Sequence, residues 1–330
     1  MVEENSAIEA EAPEKTGLEE FREELPRVWA AIPDKPLFFG LLAGWLLIFQ
    51  FLGNATYGYI DTASLFGWMK NSYDNGSDDA HGSLIPFAVL ALFWWKREAL
   101  ARLTARTWWP GVLGLAGAMG LHILGYAAQQ PQVSVVAMFT GVYSLMAMVW
   151  GWRVAVASFF PFVMFVFCVP LSSVAEPVTV PLRGVSADVS VFVLRHLLGI
   201  PILQVGVQLL DPHGRYTYEV AAACSGMRSV ITLLALTTAY GWVNFDRWWK
   251  RLFVVGLAIP LALVGNVFRL VSIVVAAEAF GQEAGAFVHD WFGFVTFVMA
   301  LGVLMGVGHW LREPEPPVPD SGSDAEKATA

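Results

Sequence analysis

Long uninterrupted apolar runs constrain this chain more than any other feature. The stretch LFFGLLAGWLLIFQFLG, residues 37–53, carries no charged side chain, and comparable runs recur along the sequence. About 18 or more consecutive apolar residues is the length at which a helix can cross the hydrocarbon core of a bilayer. With 56% hydrophobic residues, 15% charged residues and a mean hydropathy of +0.55, the chain is too apolar for an ordinary soluble domain. The expected fold class is an all-α integral membrane protein. Hydropathy predicts about eight transmembrane helices, near 37–53, 82–95, 108–127, 132–150, 153–170, 226–243, 252–277 and 287–310. Glycines at small-residue spacing, as in GVLGLAGAMG and GVLMG, predict close helix packing.

Charge divides the chain into three parts. The formal net charge of −8 comes mostly from acids in the two tails, so it says little about partners, and no basic patch points to nucleic acid. Residues 1–36 read as an acidic cytoplasmic tail, disordered, without the basic start and short apolar core of a signal peptide. Residues 37–311 form the membrane domain, and 312–330, rich in Pro, Ser, Asp and Ala, form a second disordered cytoplasmic tail. Short loops set the orientation. Lys96, Arg97, Arg102 and Arg106 share one loop, Arg247, Lys250 and Arg251 another, and Arg153 marks a tight turn. With eight spans, these connections and both tails lie on the cytoplasmic face, and the acidic loop NSYDNGSDDAH lies opposite.

The longest outer connection, residues 171–224, predicts two elements before the sixth span. Val185 to Leu198 reads as an extracytoplasmic amphipathic helix, with Arg183, Arg195 and His196 toward lipid headgroups. Val205, Val207 and Leu209 alternate before DPHG, and Tyr216, Tyr218 and Val220 alternate after it, which predicts a β-hairpin. The hairpin delivers Cys224 to the outer mouth of the sixth span.

Cys224 stands in EVAAACSGMRSV, with Ser225 as a helix N-cap and Arg228 one turn further in. A helix N-terminus and a nearby cation both favour the thiolate, the nucleophilic form. A small buried thiol, or a disulfide with Cys168, is the structural alternative. Arg269 lies well inside an apolar run, where an arginine costs about 2.5–3.5 kcal/mol on insertion scales. Asn266, Arg269 and Ser272 are spaced to share one helical face. A structural pairing, with Glu278 or a backbone carbonyl, is the alternative for that arginine. His289, followed by Asp290 in GAFVHDWFGF, is placed to shuttle protons, or else belongs to an interfacial aromatic belt beside Trp291 and Phe292. Three such residues at one depth suit acyl transfer: a thiolate attacks a carbonyl, a guanidinium binds the oxyanion, and an imidazole serves the leaving amine.

The motifs ACSGMRS, GNVFR and HDWFG, in that order on late apolar runs, resemble the exosortase/archaeosortase family. The upstream DDAHGSLIPF resembles that family's His-Gly element, with His81 as its histidine. The resemblance covers roughly residues 40–310, although Ala222 and Ala223 stand where members often carry an acidic residue. It implies a membrane cysteine protease/transpeptidase of the bacterial exosortase type, with Cys224 as nucleophile, Arg269 as oxyanion donor and His289 as acid/base. Arg228, Ser225, Asn266, Asp290 and His81 are supporting residues. The implied partner is the C-terminal sorting signal of an exported protein: a motif such as Pro-Glu-Pro, a membrane helix and a basic cluster. A surface or lipid-linked amine would be the acceptor, the bilayer lipids the surroundings, and the periplasmic face the site of action.

No HExxH, CxxC, Walker or dinucleotide motif occurs, so neither a metal nor a cofactor is expected. Two rival readings remain open: a transporter or exopolysaccharide-export component using Arg269 as an anion site, and a family member that binds sorting signals without cutting them.

Overall fold

The computed structural model describes residues 17–56, 61–74, 79–171, 176–206, 208–212, 217–218 and 226–312. The chain divides into two compact units, Met1–Asn75 with Gly82–Pro170, and Gly76–His81 with Leu171–Ala330.

The first unit holds α1 (Gly17–Ala31), α2 (Lys35–Leu52), α3 (Leu65–Asp74), α4 (Ile85–Trp95), α5 (Arg97–Ala101), α6 (Gly111–Ala127), α7 (Pro131–Trp150) and α8 (Trp152–Val163), which tightens into a 3₁₀ turn, Met164–Cys168. Helix α7 is its most buried element, packed by α2, α6 and α8. Trp45 of α2 donates from Nε1 to the Met138 carbonyl at 3.0 Å, and its indole fills the space that a side chain at Gly141 would need. Gly111 and Gly114 lie against Met148 and Ser144 of α7, as the small-residue spacing predicts, whereas Gly117, Gly120, Gly302 and Gly306 face open space. An apolar cleft of about 340 Å³ runs between α7 and α8, lined by Phe139, Tyr143, Phe159, Phe162 and Phe165 among others.

Among the described residues, the second unit runs through α9 (Glu176–Phe192), a π turn at Val193–Leu197, a small sheet, and four helices: α10 (Gly226–Asn244), α11 (Trp248–Gly256), α12 (Ala258–Phe280) and α13 (Gln282–Trp310). Ala187 and Val191 of α9, with Leu194 of the π turn, face inward while Val185, Val189 and Phe192 stay exposed. The exposed Arg195 donates from Nε to the Ile202 carbonyl at 2.8 Å, tying the helix end to the strand that follows. Among the described residues the sheet has three antiparallel strands, β1 (Leu203–Val205), β2 (Gln208–Leu210) and β3 (Thr217–Tyr218), in that order. The single strand expected over 205–209 is broken because Gly206, at φ 63°, turns the chain back and creates β1.

The span count needs correction. Among the described residues, four stretches are long and apolar enough to cross a membrane, not about eight: Lys35–Leu52, Pro131–Trp150, Trp248–Phe280 and Trp291–Trp310. The runs near 82–95, 108–127 and 153–170 form shorter apolar helices, Ile85–Trp95, Gly111–Ala127 and Trp152–Cys168. Their 10–17 residues fall below the roughly 18 that a crossing helix needs. Helix α10 has the length, but Arg228, Ser229 and three threonines lower its hydropathy. The assignment of both tails and three basic loops to one face rested on eight crossings and falls with that number. Several of those loop cations hold protein carbonyls instead. Lys96 Nζ donates to Ala157 O at 2.7 Å, and the buried Lys250 donates to Leu311 O at 2.8 Å.

The acidic N-terminal segment is not wholly irregular. Residues 17–31 form α1, held by the Glu24–Arg97 ion pair and by the Phe21 ring against Trp94, 4.5 Å between centroids. Residues 1–16 and 313–330 lie outside the described residues.

Candidate functional site

Helix α12 presents one buried stripe: Ala258, Ala262, Asn266, Leu270, Ile273, Val274 and Ala277. The residues recur every three or four positions, so they line one face. Ala258 and Ala262 pack with Leu233 of α10 and Ala300 of α13. Leu270, Ile273 and Val274 pack with Val191, Leu194, Ile202 and Leu209. Asn266, 6% exposed, is a polar layer between these two apolar clusters.

Helices α12 and α13 form a tight antiparallel pair. Gly281 makes the turn at φ 94°, a backbone conformation that favours glycine. Gly285 then sits against Ala277, and Gly265 faces Thr296. This register brings Arg269 to His289: the Arg269 Nη2 donates to the His289 carbonyl oxygen at 2.8 Å. Phe268 and Phe292 meet at the same level, with ring centroids 5.6 Å apart. Both Arg269 and His289 are half-buried. His289 lies some two turns inside α13 rather than at its start, two residues before the apolar stretch that begins at Trp291.

Helix α10 runs antiparallel to α11 and α12, with Gly241 beside Arg251 and Leu233 beside Ala258 and Ala262. Seven residues separate Leu233 from Gly226 and likewise Ala262 from Arg269. At 1.5 Å per residue each interval is about 10 Å, so α10 begins at the depth of Arg269. Cys224 and Ser225, immediately before that start, lie outside the described residues. Arg228 falls in the first turn of α10, with its side chain outside the described set, as is that of Asp290.

His81 is buried in the 3₁₀ turn Ala80–Ser83 of the DDAHG element. The neighbouring Asp79 is also buried, and its carboxylate accepts a hydrogen bond from the Leu171 backbone N–H at 3.0 Å. Asp79 stands out only in the structure, because a carboxylate in an acidic loop ordinarily faces water. Cys168 is a free, buried thiol whose Sγ lies 3.6 Å from the Gly82 carbonyl oxygen, so it is in no disulfide. Among the described residues, no three His, Cys, Asp or Glu side chains gather where they could hold a metal.

Residues 68–306 match the family model described as transmembrane exosortase (Exosortase_EpsH), which is well over half of the chain. The chain belongs to the transmembrane exosortase family. The matched region contains His81, Cys224, Arg228, Asn266, Arg269 and His289. No curated protein and no solved structure matches it. Exosortase membership and the apolar spans support a multi-pass, inner-membrane location and a role in processing sorting signals.

Proposed function

We propose that this exosortase is a membrane-embedded cysteine protease/transpeptidase that cuts the C-terminal sorting signals of exported proteins. The contact between Arg269 and His289, at the depth where α10 begins, carries the proposal. The bond runs from the Arg269 guanidinium to the backbone of His289, and in sequence Cys224 stands two residues before Gly226, the first residue of α10.

In the proposed reaction the Cys224 thiolate adds to the carbonyl carbon of a peptide bond within the sorting motif. The carbonyl π electrons move to oxygen, and Arg269 stabilises the resulting charge. His289 gives its proton to the departing amine as the C–N bond breaks, leaving a thioacyl-enzyme. An incoming amine, or water, then loses its proton to His289 and attacks the thioester, which restores the thiolate. The substrate's membrane helix would lie in the bilayer with its cleavage motif at the periplasmic surface.

Replacing the nucleophile tests this. With a tagged membrane protein ending in Pro-Glu-Pro, an apolar helix and a basic cluster, Cys224→Ala and Cys224→Ser should abolish processing while the enzyme still inserts. Processing that continues in Cys224→Ala refutes the proposal and favours a binding or export role.

A further inference from the structure

Two N–H donors in the α12–α13 layer have no acceptor among the described residues: Asn266 Nδ2 and Arg269 Nε, both buried. They lie three residues apart on α12 and therefore on one face. A buried amide without a partner is uncommon, because folding strips its water and returns nothing. If position 266 served packing alone, an alanine like Ala258 and Ala262 or a leucine like Leu270 would fill it without that loss. Arg269 commits Nη2 to the His289 carbonyl and keeps Nε uncommitted. One neutral and one charged donor, walled by apolar clusters on either side, complement a small acceptor that bears negative charge.

We infer that Asn266 is a catalytic residue: its Nδ2 and the Arg269 Nε together bind the carbonyl oxygen of the scissile peptide and hold the charge it gains when Cys224 adds. The inference rests on the acyl-transfer reading above. It adds no covalent step. The carbonyl electron pair moves onto oxygen as the C–S bond forms and returns as the C–N bond breaks, and the donor protons stay on nitrogen throughout. A neutral amide suits this task better than a second cation. It strengthens its hold only while the oxygen is charged, so binding energy goes into the transition state rather than the resting complex.

The test uses the full chain in lipid bilayers with the Pro-Glu-Pro substrate described above. Single-turnover acylation, half-saturating substrate and the substrate-free unfolding midpoint are measured for wild type, Asn266→Ala, Asn266→Leu, Asn266→Asp and Cys224→Ala. Asn266→Ala and the nearly isosteric Asn266→Leu should acylate about 100-fold more slowly. Half-saturation should stay within about twofold, because a donor used mainly in the transition state changes rate rather than affinity. Their unfolding midpoints should be unchanged or higher, since the stranded amide is gone. Asn266→Asp should be slower still, because a carboxylate repels the oxyanion.

Wild-type acylation in Asn266→Ala overturns the inference. So does a rate loss in Asn266→Leu that is matched by a lowered midpoint, which marks a structural role. If Cys224→Ala is dead while Asn266→Ala is normal, only this inference falls. If Cys224→Ala still processes substrate, the acyl-transfer reading falls and this inference goes with it.

Discussion

Arg269 is the residue whose environment says most about the site. Its Nη2 is satisfied by a backbone carbonyl, the structural pairing that any intramembrane arginine is expected to seek, yet its buried Nε is not. A lysine in the same place keeps the charge but loses the planar fork. Arg269→Lys should therefore insert normally and process the sorting-signal substrate about 100-fold more slowly, with the loss in kcat rather than KM. Steady-state processing assays check this, and a variant as fast as wild type would reduce Arg269 to a point charge. At this scale the sequence was informative. An arginine deep in an apolar run, with Asn266 one turn away, is visible without coordinates because its burial is costly wherever it sits. The partner was not legible. Which atom of which neighbour accepts from Arg269 depends on the α12–α13 register, set by the turn at Gly281 and by Gly285 and Gly265 against their opposite helices.

Elements show where hydropathy reading stops. Composition located most apolar runs, but helix length is decided by where backbone hydrogen bonding breaks. The run over 153–170 gives only Trp152–Val163 as α-helix before a 3₁₀ turn, with Pro161 near its end. The N-terminal acids likewise read as a solvated tail, because nothing local announces that Glu24 will meet Arg97 across 73 residues. The hydrogen bond from Arg97 lowers the Glu24 pKa below its ordinary 4.5, with Arg97 and Arg27 adding attraction.

The sign of the pH effect follows from that depression. The pair's contribution is complete above the ordinary carboxylate range and is lost as pH falls through the lowered Glu24 value. Fluorescence of Trp94, against which Phe21 packs, should hold constant from pH 7 to 5 and change only at more acid pH. Glu24→Gln should remove that transition.

Packing of the long helices gives a second prediction. Gly141→Val collides with the Trp45 indole and should destabilise the protein by about 1–3 kcal/mol in thermal unfolding. Gly302→Ala, with open space around it, should be close to neutral. Equal effects would contradict the α2–α7 packing.

For the whole molecule, two compact units share one chain, and the second carries Asn266, Arg269, His289 and the start of α10. Its three helices α10, α12 and α13 fix depth by antiparallel packing, so residues 20 and more apart in sequence arrive in one layer. Sequence order and spacing pointed to these three helices, since GNVFR and HDWFG lie on α12 and α13 and α10 begins within ACSGMRS. The crossing count failed because short apolar helices and full spans differ little in composition. Family membership rests on the match over residues 68–306, and the chemistry rests on what Cys224 does.

The most direct measurement of that chemistry is intact-protein mass spectrometry of wild-type enzyme quenched in acid during turnover of the tagged substrate. A covalent adduct equal to the substrate's N-terminal fragment, mapped to Cys224 and released by hydroxylamine, is the result expected. Substrate processed at full rate with no adduct on Cys224 at any time point, or with the adduct on Cys168, would contradict it.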